Sequence, residues 1–368
     1  MKIRRTYLEQ VRSAGRVEDL WPLVQKAIEL EHATIPPYLC GYFTLKLGTN
    51  EEVASIIRSV VVEEMLHFAI ACNLLLGLGG APAIDQAGFV PNYPDDLPFG
   101  IGDHLKVHLR KCSIEQIEHI FMGIEKPDDV IAIPTAFIGA DRMRSAPEAL
   151  AVPEEFETIG LFYEFLAQKI QEIDQQEPIS WRVTDQNVAS RWFPDQDDMF
   201  LIDSADKAVK AVNVIIGQGE GTHSTPYDED GVPAHYYRFQ EIVKRRRLVP
   251  KPGSEPPYIF GGDAVTLDMS NVWNMDDDPK ISKYAFGSAS RRRAIQFSYS
   301  YTRLLGALHL AFNGHKQRLD DAMGLMYELR LLAQQVLATP AQYANGSANT
   351  DGKGTGLSFE YRSANAGL

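Results

Sequence analysis

The stretch SVVVEEMLHFAIACN, residues 59–73, is apolar except for two glutamates and a histidine at its middle. On a helix, Val60, Val61, Glu64, His67, Phe68 and Ala71 share one broad face, because steps of three and four residues return to the same side. Glu64 and His67 are thus aimed inward from adjacent turns, close enough to reach one ion. Glu63 is the alternative that periodicity leaves open. An ionised carboxylate in a core costs several kcal/mol unless a counter-charge or a metal offsets it, so the pattern asks for a partner.

Other segments supply matching groups. In EDLWPLVQKAIELEHATIPPYL, Glu31 shares a face with Val24, Ala27, Ile28, Ile35 and Tyr38, whereas Glu29 sits over Gln25 and Lys26. In EEFETIGLFYEFLAQKI, Glu157 and Glu164 form one line with Leu161 and Gln168, and Glu164 borders the apolar stripe Phe156, Ile159, Tyr163, Leu166 and Ile170. ADKAVKAVNVIIGQGEGTH puts Glu220 on the line of Val209, Val212 and Ile216, and AHYYRFQEI puts His235 on the line of Phe239 and Ile242. His223 follows Glu220 by three residues, but Gly221 and Thr222 weaken a continuing helix there. Four inward acids and two inward histidines match a carboxylate bundle in which two helices each give one Glu and two others each give a Glu-x-x-His pair. Hard oxygen donors with some nitrogen suit two divalent ions, iron first and manganese as the alternative. Tyr38, Phe68, Tyr163 and Tyr236 stand beside these motifs as candidate pocket lining, with ordinary core packing the plainer role for Phe68 and Tyr163.

Long helices must position these groups. The periodicity predicts them over about 18–35, with Pro36 and Pro37 kinking or ending the first; over 51–78, closed by Gly79, Gly80 and Pro82; and over 153–175. Further helices are expected over 204–221, capped by Asp203 or Ser204, and over 234–247, 291–312 and 316–338. Residues 83–152 are rich in Pro and Gly and read as a long crossover, within which Ser113 caps a short helix with Gln116 at the capping-box position. The expected architecture is one all-α domain over residues 1–343, with inserts at about 83–152 and 249–290. A Gly-, Ser- and Asn-rich tail, 344–368, is expected to be poorly ordered unless docked.

Composition narrows the partners. A chain of 368 residues with 45% hydrophobic content can bury a sizeable core. A net charge of −13 argues against nucleic acid or an anionic membrane as partner. Three unclustered cysteines indicate neither a disulfide framework nor a thiolate site. No apolar leader opens the sequence and no stretch approaches a membrane span, so a cytoplasmic location is expected.

LEHATIPPYL at 30–39, VVVEEMLHFAIACNLLLGLGGAP at 60–82, TIGLFYE at 158–164, QGEG at 218–221 and AHYYRF at 234–239 resemble the ferritin-like domain of the iminophenylpyruvate dimer synthases of violacein-type biosynthesis. The resemblance extends over most of residues 15–340. It implies a ferritin-like four-helix bundle with additional C-terminal helices, and a metal-ligand set of Glu31, Glu64, His67, Glu164, Glu220 and His235. The violacein enzyme is similar only over one region of a much longer chain, and here a loop separates Glu220 from His235. The expected activity is that of a non-heme diiron oxidoreductase acting with oxygen or peroxide on a small, amino-acid-derived substrate. A metal-handling or peroxide-removing protein and a metal-free scaffold for a biosynthetic partner are the alternatives, and a homo-oligomer is left open.

Overall fold

The computed structural model describes residues 2–100, 105–127, 130–135, 156–188, 192–193, 197–220 and 225–362, the side chains of Lys2, residues 156–158 and Glu220 excepted. After the short α1 (Arg5–Ser13), α2 (Trp21–Thr44) and α3 (Glu51–Gly77) form a long helical hairpin. Pro22 sits in the first turn of α2, where its missing N–H has no intrahelical partner to lose. Glu51 and Glu52 open α3 against its positive end. The chain then crosses over through α4 (Ile114–Gln116), a π turn (Ile117–Phe121) and α5 (Met122–Ile124), which run on as one short helical segment. Ser113 caps that segment by accepting from the Gln116 amide at 3.1 Å, as expected.

A second helix pair, α6 (Ile159–Gln176) and α7 (Ala205–Glu220), packs against the first through α3 and α7. α8 (His235–Lys244) then lies across α3, α7 and α5. Ahead of α6, the expected helical start is replaced by a strand, Phe156–Thr158, pairing antiparallel with Lys2–Arg4. A hairpin of Arg246–Pro250 and Tyr258–Ala264 follows α8. Finally α9 (Ala289–Ala311) and α10 (Arg318–Leu337) form an outer hairpin resting on α2 through α10.

α2 runs on through Pro36 and Pro37 to Thr44, so of the two outcomes expected they do not end it. Two interior prolines remove the amides that would bond the carbonyls of residues 32 and 33. The Tyr93 hydroxyl replaces one of them, donating to the Ala33 carbonyl at 2.7 Å. Burial of Ala33 through Thr44 around the prolines supplies packing that outweighs the lost bond.

An aromatic triad ties the crossover to the bundle. Tyr38 of α2, Phe121 of the π turn and Phe239 of α8 pack with ring centroids 4.8–5.2 Å apart. Gly41 makes room for it, since a Cβ there would come 2.8 Å from the Phe121 ring. Within the described part of the C-terminal tail, Leu357 and Phe359 are buried, and Phe359 packs edge-on against Phe297 and Tyr301 of α9. α3 also corrects one expectation, being long and apolar enough to cross a membrane, with mean hydropathy 1.6 over its best window. Most of that window is buried within the protein, where it packs against α2, α7 and α8.

Candidate metal centre

Five side chains converge at the middle of the bundle: Glu31 from α2, Glu64 and His67 from α3, Glu125 just past α5, and His235, the first residue of α8. All five are buried, His235 completely. They form two triads, Glu31–Glu64–His67 and Glu64–Glu125–His235, each compact enough to hold one ion, with Glu64 common to both. The two imidazole rings stack, their centroids 5.5 Å apart.

Each carboxylate is fixed on one oxygen by a hydroxyl and turns the other inward. Tyr163 donates to Glu31 Oε1, Thr34 to Glu64 Oε2 at 2.6 Å, and Tyr38 to Glu125 Oε1. The opposite oxygens face the imidazoles. His67 Nδ1 lies 3.6 Å from both Glu31 Oε2 and Glu64 Oε1. His235 Nδ1 lies 2.9 Å from Glu64 Oε1 and 3.4 Å from Glu125 Oε2. On their far sides, His67 Nε2 meets Gln218 Oε1 at 3.0 Å, and His235 Nε2 meets Glu63 Oε2 at 3.0 Å. Gln218 is held in turn by Asp198 at 2.8 Å, and Glu63 by two hydrogen bonds from the Arg238 guanidinium.

These outer partners place the ring protons on Nε2 and leave Nδ1 with its lone pair toward the centre. Buried His235 Nδ1 makes no hydrogen bond despite its short distances to two carboxylate oxygens. Lone pairs of imidazoles and carboxylates meeting at a common buried space call for a positive charge between them, a proton or a metal ion, and the donor set fits a metal.

In the metal-free chain, protons serve as that cation. Burial works against a charged His67, but Glu31 and Glu64 overcome it and push the imidazole up to about 10. His235 is likewise raised, burial being outweighed by Glu125, Glu63 and Glu64. Burial raises Glu31. Glu64, although buried, is drawn below the ordinary carboxylate range by His235 and His67. Glu63 is lowered to about 2, its burial overcome by His235 and Arg238.

A cavity of about 50 Å³ adjoins the centre. Its walls include Glu31, His67 and Tyr163 together with apolar Leu30, Ile159 and Ile216. At about 10–15 Å³ for each water-sized guest, it has room for a few small molecules.

The residues carrying the site all fall within one matched region, since the chain matches the ferritin-like family over residues 24–244. The chain belongs to the ferritin-like family. A ferritin-like protein from Caulobacter vibrioides is similar to it in structure, with 18% identity and a TM-score of 0.48 over 85% of this chain and 95% of that one. No curated protein matches the chain. The all-α ferritin-like bundle expected from the sequence is thereby the fold of this protein.

Of the expected ligands in this ferritin-like bundle, Glu31, Glu64, His67 and His235 meet at the centre. Glu164 does not join them. It is exposed, because Ile159, Tyr163, Leu166 and Ile170 form the buried face of α6 and Glu164 lies one helical step outside it. The Glu220 side chain and His223 lie outside the described residues. Glu63, the open alternative, acts on His235 from outside. Sequence reasoning missed Glu125, whose signal was the run Ile117, Ile120, Phe121, Ile124 ending on an acid. Tyr163 is more than core packing, since it holds Glu31 and lines the cavity. Phe68 is core, packed on Phe312 and His32.

Replacing exposed Glu164 with Ala is expected to leave metal content unchanged. Elemental analysis of the loaded, desalted variant checks this, and loss of half the metal or more would return Glu164 to the ligand set.

Proposed function

We propose that this ferritin-like protein is a non-heme dinuclear oxidoreductase, holding two iron ions or, alternatively, two manganese ions, and acting with oxygen or peroxide on a small substrate. One observation carries the reading: the inward oxygen of Glu64 is shared by two ligand triads. A carboxylate so placed would serve both positions, and a dinuclear set with mixed oxygen and nitrogen donors would suit iron or manganese. Glu31, Glu64 and His67 would hold one ion, and Glu64, Glu125 and His235 the other. When bound, such ions supply electrons for reducing oxygen or peroxide.

The chain's own groups prepare the site. Thr34, Tyr38 and Tyr163 fix the carboxylates so that their inner oxygens need not reorganise. Leu30, Ile159 and Ile216 keep the approach apolar and limit competing water. The resemblance to the iminophenylpyruvate dimer synthases supports an amino-acid-derived aromatic or imine substrate, in the specialised metabolism of the cytoplasm. The cavity's volume favours a second reading as well, peroxide removal, because a molecule of that size fits beside His67.

Metal analysis combined with anaerobic spectroscopy tests the proposal. Protein loaded with ferrous iron and desalted is expected to hold about two ions per chain and to change its visible spectrum when oxygen is admitted. Clearly substoichiometric metal in folded protein would refute it. Oxygen uptake stimulated by an aromatic imino acid supports the oxidase, whereas rapid peroxide consumption without organic substrate supports peroxide removal.

A further inference from the structure

The two halves of the centre are built differently. His235 is backed by a carboxylate, Glu63, which Arg238 grips through both terminal nitrogens while its Nε donates to the Pro233 carbonyl at 2.6 Å. His67 is backed by a neutral amide, Gln218, which rests on Asp198. A carboxylate accepting the far ring N–H strengthens the lone pair of the near nitrogen more than an amide does, because its charge stabilises a cation bound there. Both positions reach the cavity, one through Glu31 and His67 and the other through Glu125, with Glu64 common to both; of the two imidazoles, His67 lines the wall and His235 does not.

We infer that the two metal positions are unequal: Glu63 makes the His235 position the tight one, and the His67 position, backed by a neutral amide, is the weaker, exchangeable one. The inference rests on the dinuclear reading above and goes beyond it by ranking the positions and naming what ranks them. Glu63 is then a positioning residue, acting through His235. Arg238 keeps Glu63 from turning inward to become a ligand itself. Groups in the outer ring of a metal site typically change affinity 10–100-fold when altered, so the ranking should be measurable by binding alone.

Anaerobic titration of metal-free protein with Co(II), followed by its visible absorption, is the test. Wild-type protein is expected to bind in two steps, the first at least about tenfold tighter. His235→Ala should remove the tight step and His67→Ala the weak one. Glu63→Gln, which keeps the size and the hydrogen-bond acceptor but removes the charge, should weaken the tight step about 10–100-fold and the other much less. Should that variant fail to fold around unpaired Arg238, Gln218→Glu provides an independent arm: it places a carboxylate behind His67 and should tighten the weak step, narrowing the gap. Two ions taken up in a single step, or a Glu63→Gln variant weakening both steps alike, or a Gln218→Glu variant leaving the weak step unchanged, would overturn the ranking while leaving the dinuclear reading in place. Wild-type protein that binds no Co(II), Fe(II) or Mn(II) would overturn the dinuclear reading and the ranking with it.

Discussion

Glu64→Ala is expected to strip the protein of both ions, lowering metal content from about two per chain to nearly none. Glu31→Ala and Glu125→Ala each break one triad and leave the other, so each should retain about one ion. The difference follows from position: Glu64 Oε1 faces His67 at 3.6 Å and His235 at 2.9 Å, so its removal deprives both positions at once. Glu63 cannot substitute for it, because Arg238 holds both of its oxygens on the far side of His235. The chain should stay folded, since α2 and α3 bury a large apolar surface that does not depend on the site. Elemental analysis beside circular dichroism checks the result. A folded Glu64→Ala protein that keeps two ions would show that the shared-carboxylate geometry is wrong.

Why some residues of the centre were legible in the sequence and others were not follows from local geometry. Glu31, Glu64 and His67 lie in long, almost wholly buried helices, where a polar residue on the apolar face stands out against its neighbours. His235 could be placed because it opens a helix whose inner line continues through buried Phe239 and Ile242. Glu125 sits beyond a π turn, which shifts the helical phase, in a crossover whose position depends on the Tyr38, Phe121 and Phe239 contacts. Such long-range packing has no periodic signature. Glu164 stands apart for the opposite reason: a rotation of about 100° separates a neighbour of the core stripe from the stripe itself, and the contact from α6 to the centre is made by Tyr163.

The same contrast holds for the fold. Helix extents followed from the apolar pattern, as in α3 and α7, because those patterns are long, and α7 is also capped locally by Ser204. The behaviour of Pro36 and Pro37 was not legible, since their tolerance depends on the Tyr93 hydroxyl some sixty residues away and on burial by the rest of the bundle. The tail likewise looks disordered by composition. A few apolar residues, Leu357 and Phe359 among them, nonetheless dock it beneath α9. Docking also braces Tyr301, whose hydroxyl meets His32 Nε2 at 2.8 Å, next to Glu31 in the sequence.

Metal-free protein is expected to be most stable between about pH 4.5 and 6.5 and to lose stability on either side. His67 is pushed from 6.5 up to about 10 in the fold, so its stabilisation is complete below pH 6.5 and lost as pH rises through 10. Raised His235 acts in the same direction, as does Glu31, whose burial favours the protonated acid and penalises folding once the unfolded chain ionises it. Glu63 is lowered from 4.5 to about 2, so its contribution is present above pH 4.5 and lost as pH falls through 2. The alkaline loss should be the larger, of the order of a few kcal/mol, because several buried groups titrate against one another there. Bound metal changes the sign of that limb: ions replace the protons as counter-charge and bind the deprotonated imidazoles, so affinity rises with pH and opposes the loss. Urea midpoints measured at pH 5.5, 7.5 and 9.5, in chelator and after loading, separate the two states. The midpoint of the chelated protein should fall steeply over this range, and that of the loaded protein should stay nearly level. A chelated protein equally stable at pH 5.5 and 9.5 would mean that no protons are held between these histidines and acids, and that the centre does not have the charge balance its geometry requires.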